Sequence, residues 1–493
     1  MKQHQQLYEI NTRNWLHSLR KKFGEELTLL TIPENIWINI IEKGFDWIWL
    51  MGVWKHSPLN KEELMQHPGL IKEITQALPN WDHSDIIGSP YSIIKYELNP
   101  QLGLPNDLIL LKRKLNDFNA KLMLDFIPNH FGNASELVIT NPEYFISMDN
   151  APNEKFLFRQ VITERGMQWI AYGKDPYFSP WTDTFQLNYF NKNTRKYMID
   201  ILQNQITRVC DGVRCDMAML CLNDIINKTW GFYFQEKNIE SLKSEFWEDA
   251  IKKVKSNHPD FIFLAEVYWD LGWKLQSLGF DYTYDKKLYD RLMQEDVALI
   301  RGHLIADKDY QKKSMRYIEN HDEQRAVNVF GHERSIAAAI IMGTILGLSL
   351  YHQGQLKGES IKLPVQLQRK QKERPDNNIQ HDYECLLKFT NQDVFQNGQW
   401  LLLETSTNNI LAWQWYIPDS KNLAIVVVNY SAYQTQGNVF IQLTSEFKDY
   451  EDLRLNDILN EKMYTRKTEE LKQNGLYIDL LPYKSHLFSV KTI

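Results

Sequence analysis

Acidic side chains stand at the ends of several short apolar runs, and one of them has an arginine two residues before it. That pair is Arg214 and Asp216, within the run Asp211–Asp216. Side chains of a strand alternate between its faces, so a strand here would project both residues to the same side. A neighbouring guanidinium favours the charged form of a carboxyl group. The spacing therefore predicts an ionised carboxylate at Asp216, held ready to act as a nucleophile.

Three further apolar runs also end in polar residues. They are Phe261–Ala265, followed by Glu266; Arg316–Asn320, followed by His321 and Asp322; and Leu122–Pro128, followed by Asn129 and His130. Buried parallel strands read as near-continuous apolar runs, and in a β/α barrel their C-terminal ends face the active site. We therefore expect the polar ends of these four strands to converge on one pocket.

The elements that would position these strand ends alternate along the chain. The eight predicted strands are Leu7–Arg13, Trp47–Gly52, Leu122–Pro128, Gly212–Cys215, Phe261–Ala265, Gly279–Tyr282, Arg316–Asn320 and Leu348–Tyr351. The helices predicted between them include Pro33–Lys43, a stretch with Leu108, Leu111, Leu115 and Phe118 at helical spacing, Thr194–Val209 and Glu240–Ser256. This alternation predicts an α/β fold, a (β/α)8 TIM barrel over residues 1–390.

Two long connections and a β-rich end complete the predicted architecture. Val53–Pro100 follows the second strand, and an aromatic-rich segment over residues 131–191 follows the third as a short excursion subdomain. Connections of this length are usually functional. Residues 391–493 hold short β-rich runs without intervening helices, which predicts a C-terminal antiparallel β-sandwich. The predicted runs are Ile410–Ile417, Leu423–Asn429, Val439–Leu443, Leu476–Leu480 and His486–Val490.

Charge and composition exclude several classes of partner. The formal net charge of −6 over 493 residues arises from mixed signs without long blocks, so we expect no nucleic-acid and no membrane partner. The polar N-terminus lacks an apolar signal-peptide core, which predicts a cytoplasmic protein. The longest apolar run, Ile336–Tyr351, is short for a membrane span and is better interpreted as a helix turning into a buried strand. The four cysteines show no metal-binding spacing and are expected to be buried free thiols. The oligomeric state stays open.

The strand ends, taken in order, resemble the four short signatures of the alpha-amylase family (glycoside hydrolase family 13). They are LDFIPNH (Leu124–His130), GVRCD (Gly212–Asp216), AEVYW (Ala265–Trp269) and ENHD (Glu319–Asp322), with QLN (Gln186–Asn188) as a candidate fifth. The resemblance implies that Asp216 is the nucleophile, Glu266 the general acid/base and Asp322 a stabiliser of the transition state. Retaining glycosidases use such a pair of carboxyl groups on opposite sides of the scissile bond.

The resemblance also implies a set of substrate-binding residues. Tyr91 would stack on the sugar at the cleavage point, and His130 and His321 would hydrogen-bond its hydroxyl groups, beside Arg214. Arg325 would either meet a substrate hydroxyl or pair with Glu323. Lys95-Tyr96 stands where the family has an Asp-Tyr pair, so the contact usually made by that aspartate is not expected here. Asp125 is expected to fix the loop and the pocket floor, and Tyr268 to keep water away from Glu266.

A calcium ion is part of the site in many amylases, and this sequence departs from their pattern. Asn129 occupies the place of a ligand, but Met219 and Leu220 replace the lysine and histidine that follow the nucleophile in those enzymes. The excursion also lacks an evident cluster of carboxylates for a hard cation. We therefore expect no cofactor, with calcium not favoured, and an altered leaving-group side of the site.

The functional hypothesis is a retaining α-glycosidase acting on maltodextrin, α-glucan or small oligosaccharides through a covalent glycosyl intermediate on Asp216. One alternative is a transglycosylase or sugar isomerase using the same three acids. Another is a catalytically silent carbohydrate- or partner-binding protein, against which the presence of all three acids argues. Linkage, chain length and endo or exo action depend on the loops Val53–Pro100 and Phe131–Asn191 and are not encoded by the motifs.

Overall fold

Eight parallel strands close into a barrel in the computed structural model, which describes residues 3–59, 64–65, 67–240 and 242–493. The eight, numbered here as barrel strands 1 to 8, are His4–Asn11, Trp47–Met51, Lys121–Phe126, Gly212–Cys215, Ile262–Ala265, Tyr282–Tyr284, Ser314–Arg316 and Gly347–His352. Strand 8 pairs with strand 1 from the Gly347–His4 pair to the His352–Glu9 pair, which closes the ring. The predicted TIM barrel is confirmed.

The barrel strands are buried on both faces, as their apolar sequences require. Every residue of Trp47–Met51 is buried, and so is every residue of Gly212–Cys215 and of Ile262–Ala265. Parallel sheets covered by helices bury both faces in this way. The apolar positions of these strands form one core with the helices around them.

Two predicted barrel strands lie elsewhere along the chain. Strand 6 begins at Tyr282 and strand 7 ends at Arg316. Gly279 has a φ of 109°, so the apolar run that predicted strand 6 starts in a turn. Tyr317 and Ile318 are buried but lie past the last strand pair, Arg316 with Ser349. Their apolar character reflects burial in the loop that carries the polar residues, not strand pairing.

The helices follow the predicted order, with ends that differ by a few residues. The helix predicted over Thr194–Val209 is observed as one continuous helical stretch. It begins at Lys192 and passes through a π-turn at Leu202–Ile206. The helix predicted over Glu240–Ser256 begins only at Phe246. Within the described ranges, the α-helices of four or more residues are Thr12–Phe23, Glu34–Ile41, Pro68–Ala77, Asp107–Asp117, Glu136–Thr140, Lys192–Ile201, Asn223–Glu236, Phe246–Asn257, Gly272–Ser277, Lys286–Gln294, Val297–Leu304, Lys308–Lys312, Ala326–Phe330, His332–Thr344, Asn377–Thr390, Asp393–Asn397, Ser445–Lys448 and Thr468–Asn474.

The excursion after barrel strand 3 is a small antiparallel sheet. Its strands are His130–Gly132, Ser147–Met148, Phe158–Thr163, Gly166–Gly173 and Trp181–Gln186. Trp181–Gln186 lies between His130–Gly132 and Gly166–Gly173. The first excursion strand begins at His130, shortly after barrel strand 3 ends at Phe126. This short connection ties the subdomain to the active-site end of the barrel.

The long connection after barrel strand 2 packs against a segment that follows barrel strand 8. We call residues 359–371 the strap. Leu367 of the strap is buried among Ile74, Leu78 and Ile86 of the connection, where Trp54–His56 also pairs with Ile93–Leu98. Arg369 forms a two-pronged ion pair with Asp85, at 2.7 and 2.8 Å. The strap thus joins two loops on the same end of the barrel.

Two antiparallel sheets form the C-terminal β-domain. One contains Gln399–Leu402, Ile410–Tyr416, Leu423–Asn429, Asp452–Asp457, Lys462–Lys467 and Ser485–Thr492, and the other Glu404–Thr405, Thr435–Phe440 and Leu476–Leu480. The strand predicted at Val439–Leu443 lies at Thr435–Phe440 instead. Residues of the two sheets, among them Ile410, Ile425 and Ile478, enclose a second core.

One strand of this domain serves two cores. Ile410 and Ala412 face the core between the sheets, while Leu411, Trp413 and Trp415 belong to the core of the barrel. This division follows the two-residue alternation of a strand. The indole nitrogens of Trp413 and Trp415 donate to the hydroxyl and carbonyl oxygens of Thr344, at the end of a barrel helix. The β-domain and the barrel are therefore continuous in packing.

All four cysteines are free and buried. Three of them, Cys210, Cys215 and Cys221, flank or belong to barrel strand 4, and burial raises the pKa of each thiol. Over the ranges described above, no helix combines the length and apolar character needed to cross a membrane.

Candidate active site

A cleft of about 410 Å³ opens where the C-terminal ends of the barrel strands meet the excursion. This volume lies within the range of about 300–1,000 Å³ usual for small-molecule sites. Six of the eight residues predicted for the site line it: Tyr91, His130, Asp216, Glu266, His321 and Asp322. Other lining residues include Trp181, Asp183, Met217, Tyr268 and Gln366. The predicted convergence of four strand ends therefore describes the observed cleft.

Arg214 lies beneath the cleft and holds two of the acids. Its Nη1 donates to Asp216 Oδ1 at 2.7 Å, and its Nη2 lies 2.8 Å from Glu266 Oε2. Burial alone would lower the pKa of this guanidinium, but the carboxylates around it, Glu266 first, raise its pKa well above the ordinary value. Arg214 is therefore a permanent cation that two carboxyl groups share.

Two aromatic rings and a hydroxyl keep the Arg214 guanidinium in place. The rings of Trp49 and Tyr91 each have their centroid 5.3 Å from the guanidinium carbon, a distance typical of cation–π contacts. Arg214 Nε also donates to the Tyr284 hydroxyl at 3.2 Å. The sequence motifs did not indicate Trp49 or Tyr284. Trp49 is one aromatic among several in a buried run, and Tyr284 lies beyond the predicted end of barrel strand 6.

Asp216 directly follows barrel strand 4, and its backbone extends the hydrogen bonding of that strand with barrel strand 3. Its backbone N–H donates to Phe126 O at 2.8 Å, one step past the paired residues of the two strands. The side chain is 10% exposed, at the cleft surface. Asp125 lies deeper, where its Oδ2 accepts the backbone N–H of Gly52 at 2.8 Å and Oδ1 stands 3.7 Å from Arg214 Nη1. Asp125 thus fixes the loop after barrel strand 2, the role expected for it from the sequence.

Glu266 has the surroundings of a proton donor. Burial raises its pKa to about 7, and the nearby Asp216 acts in the same direction, against the opposing charge of Arg214. Oε2 accepts a hydrogen bond from the Met217 backbone N–H at 2.6 Å, and Oε1 accepts one from the Tyr268 hydroxyl at 3.0 Å. Since Oε2 already faces two donors, Oε1 is the oxygen better placed to carry the proton.

The Met217 contact requires an unusual backbone. Met217 has φ and ψ of 41° and 47°. These angles lie in the left-handed region, which residues other than glycine, asparagine and aspartate rarely adopt. This conformation turns the N–H after the nucleophile toward Glu266. The backbone itself therefore links the strand that carries Asp216 to the strand that carries Glu266.

Asp322 forms the other wall of the cleft. His321 Nε2 stands 3.1 Å from Asp322 Oδ2 and 2.8 Å from the Tyr91 hydroxyl, while its Nδ1 lies 2.5 Å from Glu9 Oε1. Burial would lower the pKa of His321, but Asp322 and Glu9 raise it well above the ordinary value, so the ring is an imidazolium. The charge and hydrogen bond of His321 hold the pKa of Asp322 well below its usual range. With 47% of its side chain exposed, Asp322 is an ionised carboxylate facing the cleft.

His130 faces the cleft from the excursion side. Its Nε2 donates to the carbonyl oxygen of Tyr91 at 3.2 Å, and its ring meets that of Trp181 edge to face at 5.4 Å. Burial lowers the pKa of His130, whereas Asp322 and Glu9 raise that of His321. The pKa values of the two histidines of the predicted site are therefore shifted in opposite directions.

Arg325 does not reach the cleft. It is 3% exposed, and its Nη1 donates to Glu319 Oε1 at 2.7 Å and to Gln353 O at 2.8 Å. Both roles considered for it from sequence need correction, because Glu323 pairs with Lys286 instead. Glu319 is buried just past the end of barrel strand 7, and Arg325 supplies the positive charge that its carboxylate needs there. The position of Glu319 in the ENHD motif does not reveal this requirement.

The place of a calcium ligand is engaged by an amide. Asn129 Oδ1 accepts a hydrogen bond from Gln186 Nε2 at 2.9 Å, and Asn129 Nδ2 donates to Gln186 Oε1 at 3.3 Å. Met219 and Leu220 are buried in the apolar core. No three His, Cys, Asp or Glu side chains come together to hold a metal ion within the described ranges. The residues around Asn129 do not fit a hard cation, which prefers carboxylate and free carbonyl oxygens.

Comparison with known proteins places this geometry in a family. The family model of the alpha amylase catalytic domain matches residues 40–400. Alpha-amylase 3 of Dictyoglomus thermophilum is 22% identical over 383 residues, which cover 68% of this chain and 73% of that protein. An alpha-1,4-glucan:maltose-1-phosphate maltosyltransferase of Picrophilus torridus is 20% identical over 82% of this chain and 60% of its own length. Among solved structures, a noncanonic maltogenic alpha-amylase, AmyB from Thermotoga neapolitana, superposes with a TM-score of 0.67 at 18% identity over 99% of both chains.

Proposed function

Since the chain belongs to the alpha-amylase family of glycoside hydrolases, we propose that it cleaves α-glucosidic bonds of maltodextrins or small α-glucans with retention of configuration. The observation that carries this proposal is one guanidinium shared by two carboxyl groups of different character. Arg214 contacts Asp216 at 2.7 Å and Glu266 at 2.8 Å, while burial raises the pKa of Glu266 to about 7. Environments that separate two carboxyl groups in this way assign one as the acid and the other as the nucleophile.

In the first step, Glu266 donates its proton to the glycosidic oxygen while Asp216 attacks the anomeric carbon. The bond between that carbon and the leaving oxygen breaks, and an ester to Asp216 forms. In the second step, water attacks the anomeric carbon, gives its proton to Glu266, and Asp216 leaves as a carboxylate. Retaining enzymes place the two carboxyl groups about 5–5.5 Å apart. Here both carboxyl groups contact one guanidinium, at 2.7 and 2.8 Å, which holds them close together.

The remaining cleft residues would hold the sugar at the cleavage point. Asp322 is an ionised acceptor for its hydroxyl groups, and the positive charge of His321 offsets repulsion between Asp322 and the nucleophile. The ring of Tyr91 is stacked with that of His321, 5.5 Å between centroids, and borders the cleft. This gives the sugar an aromatic face on one side and carboxylate acceptors on the other.

We also propose that this chemistry needs no calcium ion. The support is the amide pair of Asn129 and Gln186, which already satisfies the oxygen that a cation would need. Each proton transfer in the two steps runs between Glu266 and either the glycosidic oxygen or water, so no step draws on a metal ion.

The test is the loss of turnover in Asp216→Asn and Glu266→Gln with maltoheptaose and glycogen as substrates. Each change is expected to lower kcat by several orders of magnitude, since each removes a group that acts only in the transition state. Asp449→Asn, an exposed carboxylate of the β-domain, is the matched control and should retain wild-type turnover. Near-normal rates in either active-site variant would overturn the assignment.

The configuration of the first product tests retention separately. Proton NMR of the anomeric signals should show the α-anomer before mutarotation, whereas the β-anomer would contradict a covalent intermediate on Asp216. Products longer than the substrate would show transfer to sugar rather than to water. Absence of any product from maltose, maltoheptaose, trehalose, sucrose and glycogen would favour a silent binding protein.

A further inference from the structure

We infer that Glu9, buried near the C-terminal end of barrel strand 1, is a positioning residue that keeps His321 doubly protonated and so holds Asp322 and Tyr91 in place around the sugar. This inference rests on the proposed function and adds to it a residue on which the chemistry depends from outside the cleft. Glu9 falls within the first predicted strand, and none of the four signature motifs includes it.

The strands on either side fix the backbone of Glu9. Its paired residues are Trp49 on barrel strand 2 and His352 on barrel strand 8, and Gln353 N donates to Glu9 O at 2.9 Å. The side chain is fully buried and does not line the cleft. Glu9 therefore acts on a sugar in the cleft only through a neighbouring side chain.

That neighbour is His321, both of whose ring nitrogens face carboxylate oxygens. Nδ1 lies 2.5 Å from Glu9 Oε1, and Nε2 lies 3.1 Å from Asp322 Oδ2. A neutral imidazole carries one N–H and could donate to only one of these oxygens, whereas an imidazolium donates to both. The contacts themselves therefore favour a charged ring, against the burial that opposes it.

Glu9 relies on this one cation. Its Oε2 is buried without a hydrogen-bond donor, and among the described residues His321 is its ion-pair partner. The buried Glu319 differs, because its Oε1 accepts from Arg325 and its Oε2 from Ala326 N, each at 2.7 Å. A guanidinium is always charged, whereas an imidazole is charged only while it holds its second proton. Since a buried carboxylate without a cation costs free energy, Glu9 favours the charged form of His321.

The His321 ring in turn holds two walls of the cleft. Its Nε2 also lies 2.8 Å from the Tyr91 hydroxyl, and the two rings stack with their centroids 5.5 Å apart. The ring of Trp49 meets it edge to face, also at 5.5 Å. A charged donor adds Coulomb attraction to its hydrogen bond with a carboxylate. Loss of the second proton would therefore loosen Asp322 and Tyr91 together.

The other charged or titratable groups around this pair do not replace Glu9. Arg214 and Lys362 are cations, which disfavour a further charge on His321, and Asp125 is already engaged by Gly52 N and Arg214. The groups that surround Glu9, His321 and Asp322 are Tyr91 of the connection after barrel strand 2, Asp125 of strand 3, Arg214 of strand 4, Tyr284 of strand 6, His352 of strand 8 and Lys362 of the strap.

Glu9→Gln tests the inference because it keeps the size of the side chain and removes its charge. A neutral His321 can still donate to Asp322 through Nε2 and accept from the introduced amide through Nδ1, so the fold should be retained. The ring should then lose its second proton as the pH rises through the neutral range. The ratio of kcat/KM for maltoheptaose in the variant to that in wild type should accordingly fall on the order of tenfold between about pH 5.5 and about pH 8.

Nitrogen NMR of histidine-labelled protein gives a readout that a merely structural role would not move. At about pH 8, well above the ordinary histidine pKa of about 6.5, both ring nitrogens of His321 should carry protons in wild type and only one in Glu9→Gln. The signal is assigned by its loss in His321→Gln. Because Glu9 acts through this ring, the double variant Glu9→Gln/His321→Gln should be no slower than His321→Gln alone.

Asp457→Asn is the matched control, because Asp457 is also fully buried and lies 2.6 Å from a histidine nitrogen, His486 Nδ1, but within the β-domain. It should leave the pH dependence of kcat/KM and the His321 signal at their wild-type values.

Unchanged kcat/KM in Glu9→Gln, or a loss of the same size at every pH, would overturn the inference. So would a His321 ring that keeps both protons in Glu9→Gln, or losses that add in the double variant. Failure of the proposed function is distinguishable, since wild type would then leave maltoheptaose uncleaved. The NMR readout needs no substrate and would still decide whether Glu9 keeps the ring charged.

Discussion

The difference between Asp216 and Glu266 arises from contacts that single residues make. Both carboxyl groups touch Arg214, but the Glu266 side chain is more deeply buried than that of Asp216. This burial, with a smaller effect from the charge of Asp216, raises the pKa of Glu266 to about 7. A general acid works best with a pKa near the operating pH. The protein thus obtains a proton donor from the same residue type that supplies the nucleophile.

At the residue scale, the pH dependence of kcat/KM should report the proton on Glu266. Because the acid must be protonated, activity should fall as the pH rises through about 7. The Tyr268 hydroxyl donates to Oε1 and so favours the charged form of Glu266. Tyr268→Phe should therefore raise the pKa of Glu266 and move the alkaline limb of the profile to higher pH. Tyr433→Phe, at an exposed site, should leave the limb in place. A limb that moves to lower pH would contradict the assignment of Glu266 as the acid.

Sequence predicted the residues that end strands better than those that surround them. Asp216 and Glu266 each directly follow a paired barrel strand, so their place in the cleft follows from alternation and strand polarity. Trp49 and Arg325 could not be assigned in this way. Their roles depend on which buried charge they meet, and such long-range pairing leaves no periodic signal in the chain.

At the scale of elements, the strap contributes Gln366 to one wall of the cleft and is itself held by contacts outside the cleft. Gln366 lines the cleft, whereas its neighbours Leu367 and Arg369 are fixed to the connection after barrel strand 2. Two hydrogen bonds between backbone atoms, Ile87 N to Gln366 O and Gln368 N to Asp85 O, complete this attachment. The position of Gln366 therefore depends on contacts made outside the cleft.

Removing Arg369, which ties the strap to the connection after barrel strand 2, should weaken substrate binding more than it lowers kcat. Arg369→Ala is expected to raise KM for maltodextrins several-fold with a smaller change in kcat, because the strap loses its ion pair with Asp85 while Asp216 and Glu266 keep theirs. Steady-state kinetics on maltoheptaose measure both constants. Arg374→Ala, an exposed arginine beyond the strap, is the control. An equal fall in kcat with KM unchanged would show that the strap does not position the binding wall.

Element boundaries show where sequence patterns lose information. The short barrel strands 6 and 7 were displaced in the prediction, because buried loop residues such as Phe280 and Ile318 are as apolar as strand residues. The strap gave no signal at all. Its structure depends on partners about 280 residues away in the chain, such as Asp85 for Arg369, and not on local periodicity.

At the scale of the whole molecule, the barrel and the β-domain share one core. Leu411, Trp413 and Val426 of the β-domain belong to the same buried cluster as the barrel strands. The boundary at residues 390 and 391 remains a prediction. Such continuous packing favours unfolding of the two parts in a single cooperative transition.

Thermal unfolding with and without excess chelator tests both this coupling and the proposed independence from calcium. We expect one transition with the same Tm in both conditions, and unchanged turnover on maltoheptaose. An ion that binds only the folded state would stabilise it, so its removal would lower the Tm. A marked fall in Tm together with turnover would therefore refute the calcium-free proposal, and two separated transitions would refute the coupling.

The buried cysteines give the barrel an internal reporter of opening. Thiols react as thiolates, and Cys210, Cys215 and Cys221 are both shielded from solvent and raised in pKa by burial. A thiol reagent can modify them only while the strand that carries Asp216 is detached from its neighbours. The rate of labelling therefore measures how often barrel strand 4, which Asp216 follows, separates from the strands on either side of it. A sugar that binds the folded cleft should slow that rate, so its affinity could be measured even in a variant that no longer turns over.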